Sequence, residues 1–344
     1  MEFLIGSEKR FEEFIKKIKK SDKIALITHN DLDGLASAFL VEKVLPLKAI
    51  KFFSYKMNIS SLFGEFKKKK INKIIFTDVA IEGMKNEIKK AEKFAEILII
   101  DHHESKINFN SAKTVYLKTD TFTPACLSCF ELFSKFTDLS RHDWLVALGI
   151  ISDFGFKKNK DFLIAVNRKY GLKESKEIIE SELGDYVKLL NGAIIYFNKN
   201  LKKLYDELKK VKNLRDLNKF KRFRKVIDKE IDAKVKEFEK KAEKQDDLYF
   251  YYFHQKYHIA SVVSNILSRK SQGNTFIIVG DSGEKFLKAN GRRQDGKKNL
   301  PELFKKAVKG LKDAGAGGHI RAAGADIRRE DLAKFKKRLF ELYK

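Results

Sequence analysis

Two cysteines, Cys126 and Cys129, are the only thiols in 344 residues, which excludes a disulfide framework. Long apolar runs are missing too. Nothing approaches the roughly 20 residues of a membrane-spanning helix, and residues 1–10 lack the layout of a signal peptide. The expectation is a cytoplasmic protein with no membrane partner. Proline is scarce, at three residues, which neither supports nor opposes heat adaptation. Acidic residues are in deficit, 47 against 72 lysines and arginines, for a formal charge of +25 and a pI near 9.7. Surface ion networks need the two signs in near balance, so the surplus favours a polyanionic partner, most simply nucleic acid.

The composition that remains, 43% hydrophobic and 35% charged, is globular, and the length predicts two domains. Phe11, Phe14, Ile15 and Ile18 recur at helical spacing and predict an amphipathic helix over 8–20. Residues 23–28 read as a short strand running into His29-Asn30-Asp31-Leu32-Asp33-Gly34, with a helix over 35–44 and Pro46 past its end. The unit recurs. Strands are expected over 49–53 and 73–77, the second followed by Asp78, with helices over 60–70 and 84–95. Ile97-Leu98-Ile99-Ile100 then reads as a strand buried on both faces and ends in Asp101-His102-His103. This alternation predicts an α/β fold whose N-terminal domain is a parallel sheet covered by helices.

Thr123 and Pro124 suit the N-cap and first position of a helix over 125–136, which carries Cys126-Leu127-Ser128-Cys129. With no second pair, these cysteines read as small residues on a buried helix face. Gly149-Ile150-Ile151-Ser152-Asp153 closes the next helical segment with another carboxylate. Over 198–245, lysines and arginines crowd a helical pattern that no proline or glycine interrupts, which predicts a basic helical connector. The last hundred residues read as a smaller α/β unit. It has an aromatic strand over 247–253, a hairpin around Asp281-Ser282-Gly283, a helix over 302–311 and a terminal helix over 331–342.

In a parallel sheet, His29, Asp31, Asp33, Asp78, Asp101, His102, His103 and Asp153 converge on one edge. Carboxylates so crowded call for a polyvalent cation, and mixed with imidazole they suit manganese or magnesium, with zinc or iron as further choices. No thiolate is among them, which argues against a structural zinc site. The number of ligands suffices for two ions, the device that activates water against a phosphoester. Taken singly, each Asp or His is also a candidate helix cap, and Asp31 or Asp33 suits the helix near Leu35. Caps alone do not explain why four separate segments end this way.

His29-Asn30-Asp31-Leu32-Asp33-Gly34, Asp78, Asp101-His102-His103 and Ser152-Asp153 resemble the four successive motifs of the DHH phosphoesterase superfamily. Gly315-Ala316-Gly317-Gly318-His319-Ile320-Arg321 resembles the glycine-rich signature of its C-terminal DHHA1 domain. The resemblance implies a DHH catalytic domain over 1–170, a basic helical connector over 171–245 and a DHHA1 substrate-binding domain over 246–344. It also implies two Mn2+ ions, with Mg2+ or Co2+ as substitutes. One ion would be held by His29, Asp31 and Asp78, the other by Asp33, Asp78, His102 and Asp153. His103 would touch the scissile phosphate and Asp101 would orient the histidines. In the DHHA1 domain the glycines would form a nest of backbone N–H groups, with Gly317, Gly318, His319 and Arg321 on the substrate. Asn290-Gly291-Arg292-Arg293 resembles the arginine loop that clamps it, through Arg292 and Arg293.

The function implied is that of a RecJ-like exonuclease on single-stranded DNA or RNA, with replication or repair proteins as further partners. Two alternatives remain: a phosphoesterase of the same class on very short oligonucleotides or 3′-phosphoadenosine-5′-phosphate, and a scaffold of the replication complex whose nuclease site is lost, against which the intact ligands argue. The chain departs from the family pattern at Ala316, where a glycine is usual, and at Phe154, where a small polar residue often follows the aspartate.

Overall fold

The apolar runs of the first half become five strands, β1 (Ile24–His29), β2 (Leu47–Phe53), β3 (Lys73–Thr77), β4 (Glu96–Asp101) and β5 (Thr114–Lys118). In the computed structural model, which describes residues 2–55 and 57–343, they form one parallel sheet in the order β2-β1-β3-β4-β5. The chain leaves β1 toward one edge for β2 and returns on its other side for β3. The crevice outside the carboxyl ends of β1 and β3 is therefore the topological switch point, where open α/β sheets bind ligands.

Helices α1 (Glu8–Lys16), α2 (Leu32–Val44), α3 (Ile59–Lys68), α4 (Lys85–Ala91), α5 (Ala125–Phe133) and α6 (Asp143–Ser152) accompany the sheet. Alternate residues of β4 serve its two faces. Ile97 and Ile99 join Phe63, Phe66, Ile74 and Phe76 in the core under α3 and α4, while Leu98 and Ile100 are buried on the side that α5 covers. Each such side chain contributes roughly 1.5–3 kcal/mol by leaving water. Helix α2 is buried from Leu32 through Val41, as expected of a helix enclosed between β1, α5 and α6.

The expected connector divides. Helices α7 (Lys160–Tyr170), α8 (Glu182–Tyr196) and α9 (Leu201–Leu208) belong to the first of two compact units, which ends at Lys221, and α8 packs on α6 through a buried face that includes Leu183, Val187 and Leu190. Asn213 and Asp216 form a reciprocal capping box that breaks the expected long helix without proline or glycine. The basic helix α10 (Lys221–Lys241) runs into the second unit, which begins at Arg222; Ile227, Ile231 and Phe238 are buried and most of its charged side chains face water.

The second unit holds a six-stranded sheet, ordered β10-β11-β9-β8-β7-β6, of β6 (Glu243–Gln245), β7 (Leu248–His254), β8 (Thr275–Asp281), β9 (Phe286–Arg292), β10 (Gly315–His319) and β11 (Ala322–Arg328). Only β7 and β8 pair in parallel, bridged by α11 (Ala260–Lys270). The hairpin expected around Asp281-Ser282-Gly283 joins β8 to β9. Helices α12 (Leu300–Val308) and α13 (Leu332–Leu342) cover one face through Phe304 and Phe335. Among the described residues no helix is long and apolar enough to cross a membrane.

Candidate metal centre

His29 ends β1, and Asp31 caps α2: its Oδ1 accepts the Gly34 N–H at 3.0 Å while its Oδ2 lies 2.7 Å from His29 Nδ1. A Cβ at Gly34 would sit 2.2 Å from the His29 carbonyl oxygen, so only glycine lets the helix start this close to the strand. Asp33 caps a different helix. Its two oxygens accept the N–H groups of Ala125, at 2.9 Å, and Cys126, at 2.7 Å, at the start of α5, 92 and 93 residues on. Thr123, expected in that role, instead gives its hydroxyl to Asp120.

Asp78 follows β3 at φ +58°, left-handed for a residue that is not glycine, and its N–H donates to the Ile100 carbonyl at 3.0 Å. Such a conformation costs on the order of 1 kcal/mol and clusters at functional sites. From this position Asp78 Oδ1 lies 3.3 Å from His102 Nε2 and Oδ2 lies 3.7 Å from His29 Nδ1. His102 Nε2 is also 3.3 Å from Asp153 Oδ2 and 3.8 Å from Asp33 Oδ2. Three overlapping groups could each hold a metal ion: His29, Asp31 and Asp78; Asp33, His102 and Asp153; and Asp78, His102 and His103. His103 Nδ1 contacts Asp101 Oδ1 at 2.7 Å and stands 4.0 Å from Asp78.

The donor atoms suit a hard cation. Asp78 Oδ2, Asp101 Oδ2 and His102 Nε2 are buried without a hydrogen-bond partner. His102 Nδ1 lies 3.2 Å from the Thr121 carbonyl, which only accepts, so Nδ1 donates there and Nε2 is the ring atom turned toward the carboxylates. Burial, then the charges of Asp33 and Asp31, push the Asp78 carboxyl well above the ordinary range. Burial likewise raises Asp33, against the pull of His102, and with the Asp33 charge lifts Asp153 to about 7. For Asp31, burial is outweighed by the His29 contact and the Gly34 N–H, and its pKa falls to about 2. Burial opposes the charged form of His103, but the Asp101 carboxylate prevails and raises its pKa. The Cys126 and Cys129 thiols are buried and free, and burial with the nearby Asp33 charge raises both pKa values, which keeps them protonated and outside the donor set.

Sequence reasoning missed Tyr55 and Thr121, which sit on loops after β2 and β5. The Tyr55 hydroxyl accepts the Ala80 N–H at 2.8 Å, and its ring centre is 5.9 Å from that of His29. Burial and the charges of Asp101 and Asp78 push its pKa up to about 12.

In the second unit two expectations need correction. Arg293 is only 5% exposed and is committed within the protein: it binds Asp295 through Nε and Nη2 at 2.7 and 3.0 Å, and Asp247 and the Tyr343 hydroxyl through Nη1 at 2.5 and 2.9 Å. Its guanidinium is thereby engaged as a structural clamp. The glycine run does not form a nest; it is edge strand β10, antiparallel to β11, with Gly317 opposite Gly324 and His319 opposite Ala322. Gly318 has φ +136°, and a Cβ there would meet the Ala322 carbonyl at 2.3 Å. Gly317, Gly318, His319 and the turn residue Arg321 are exposed. Arg292, half-buried at the end of β9, has no ion-pair or hydrogen-bond partner for its guanidinium among the described residues; burial and the neighbouring Arg269 lower its pKa.

The family model described as DHH family, N-terminal domain, matches residues 23–150, and that of the DHHA1 domain matches residues 249–344. The fold is similar to that of an exonuclease RecJ bound to manganese, at a TM-score of 0.72 and 14% identity over 99% of this chain and 96% of that one. RecJ from Thermus thermophilus in complex with Mn2+ has a TM-score of 0.68 at 14% identity. That match covers 97% of this chain and 53% of the other, so the chain spans about half the length of the Thermus protein. CDC45 from Entamoeba histolytica is similar at a TM-score of 0.55 and 11% identity, over 97% of this chain and 98% of that one. At these identities the likeness is one of fold. No curated protein matches the chain.

Proposed function

Since the chain belongs to the DHH family and carries a DHHA1 domain, we propose that it is a two-metal phosphodiesterase that digests single-stranded DNA or RNA from an end, releasing nucleoside monophosphates. The observation that carries the reading is the position of Asp78. It lies between two groups able to hold an ion, 3.7 Å from His29 on one side and 3.3 Å from His102 on the other, with a buried oxygen that nothing in the protein satisfies.

His29, Asp31 and Asp78 would hold one Mn2+, and Asp33, Asp78, His102 and Asp153 the other. When bound, the pair supplies an activated water and neutralises charge on the phosphoryl group. The protein's own groups do the rest. The N–H groups at the start of α5 fix Asp33, the Gly34 N–H fixes Asp31, and the Thr121 carbonyl sets the tautomer and direction of His102. Asp101 holds His103 by Nδ1, which leaves Nε2 to donate a hydrogen bond to a phosphate oxygen and to accompany the leaving oxygen with a proton. Arg292, His319 and Arg321 are proposed as the substrate contacts of the second unit. The charge of +25, concentrated in part along α10, favours a polymer, because each further phosphate contacted adds to binding.

The test is purified protein with Mn2+ and with chelator on 5′- and 3′-labelled single strands of DNA and RNA, with products resolved by length. Shortening from one end to mononucleotides, abolished by chelator, is expected. Internal cuts or metal-independent turnover would overturn the reading.

A further inference from the structure

Two large apolar side chains stand exposed on the loops that carry groups of the metal centre, Phe154 at 62% and Phe122 at 59%. Each is one residue from a group that touches the centre. Phe154 follows Asp153, whose carboxylate is 3.3 Å from His102; Phe122 follows Thr121, whose carbonyl accepts from the other nitrogen of the same ring. Their loops are fastened together. Asn159 Nδ2 donates to the carbonyls of Phe122 and of Gly155, each at 2.8 Å, and Lys158 reaches both Asp120 and Thr123. A Cβ at Gly155 would lie 2.8 Å from the Phe122 carbonyl oxygen, so the contact depends on glycine.

Phe154 is held at φ +58°, a conformation that glycine or asparagine adopts readily and a bulky side chain does not. Its ring centre is 6.4 Å from that of Phe156, and most of the ring is in water. Strain and an exposed ring at one position both oppose stability, and both make sense if a ligand covers the ring. Beyond Phe156 a cavity of about 510 Å³ is lined by Lys157, Lys160, Lys176 and Asn167 together with Glu174 and Glu177, and the Asn167 Oδ1 is buried without a partner. Apolar rings interleaved with ammonium groups suit a strand of alternating bases and phosphates better than the surface of a protein.

We infer that Phe154 and Phe122 are a stacking platform for the bases on either side of the scissile phosphate, and that this platform selects unpaired strands. The inference rests on the nuclease reading above. Each ring is on the residue next in the chain to a group of the centre, and one sugar separates each base from the phosphate. A duplex base is already stacked and paired, so only a single strand can give its π-face to the rings.

The experiment uses the full chain with Ca2+ in place of Mn2+ to arrest hydrolysis, and single strands carrying 2-aminopurine at successive terminal positions. Binding is expected to quench the fluorophore at the positions the rings cover. Phe154→Asn, which keeps the left-handed backbone, and Phe122→Ala, on the other loop, should each relieve the quench and raise Kd roughly 5- to 150-fold. Neither should change Kd for a strand that is abasic at those positions, and Phe154→Tyr should retain wild-type binding. With Mn2+, the rise should reappear in KM with little change in kcat. A wild-type protein that hydrolyses the strand while Phe154→Asn leaves quench and Kd unchanged, or weakens intact and abasic strands equally, overturns the platform alone. A wild-type protein that neither binds nor hydrolyses any strand overturns the nuclease reading with it.

Discussion

The clustered carboxylates of the two units live under opposite conditions. In the first unit Asp33, Asp78 and Asp153 face one another and three histidines, and among the described residues no lysine or arginine pairs with them. In the second, Asp281 is gripped by both terminal nitrogens of Arg329 and by the Tyr252 hydroxyl, and Asp247 and Asp295 share Arg293. The pKa values follow, raised in the first set and lowered in the second. The chain does not lack cations to spend, with 72 lysines and arginines. That none has been placed beside Asp78 is the informative fact. Where a carboxylate is structural the fold gives it a guanidinium; where it is left crowded, the charge is reserved for an ion from outside.

The comparison breaks most visibly at Asp78. Asp78→Asn should cut single-strand hydrolysis on the order of 10³-fold, since several kcal/mol of charge stabilisation go with the shared carboxylate. Yet the metal-free variant should be no less stable than wild type, because the substitution removes a like charge. Trp144, the single tryptophan and buried in the first unit, reports that unfolding by fluorescence in urea. Retained turnover, or a marked loss of metal-free stability, would place Asp78 with the structural carboxylates instead. Asp101→Asn should act more mildly, lowering kcat roughly 10- to 100-fold through a loosened His103 with KM little moved, as measured by single-turnover kinetics. In the second unit Asp281→Asn should do the reverse of Asp78→Asn. It should cost about 2 kcal/mol of stability, from weakened charge-assisted hydrogen bonds, when unfolding is followed by tyrosine near-ultraviolet dichroism.

Much of the centre was legible in the sequence because a parallel sheet leaves its ligands little choice. Residues that end β1, β3 and β4 must meet at one edge, so His29, Asp78 and Asp101 to His103 could be gathered from their strands alone. What stayed hidden depends on partners remote in sequence. The Asp33 cap of α5 spans more than ninety residues, and nothing local marks Thr121 as the group that orients His102. Arg293 looked like a substrate clamp because, Asp295 apart, its partners Asp247 and Tyr343 lie 46 and 50 residues away. The run from Gly315 to His319 has almost no intrinsic strand preference and is a strand only because β11 pairs with it, a tertiary override that composition cannot announce.

The subtlest expected difference between the units is in acid, and its sign distinguishes them. Burial would raise the pKa of Asp281, but the Arg329 hydrogen bonds and the Tyr252 hydroxyl prevail and hold it at about 2. In the unfolded chain the same carboxyl titrates near 3.9, at roughly the ordinary value. Because the folded value is the lower one, this group's contribution to stability is fully present above about pH 4 and is lost as pH falls through about 2. The stability gap between wild type and Asp281→Asn should therefore be widest at pH 5 and close steadily toward pH 2, as urea midpoints of the dichroism signal would measure. A gap that stays constant over that range would mean that Asp281 is ionised to no structural purpose, and the contrast with Asp78 would then rest on the first unit alone.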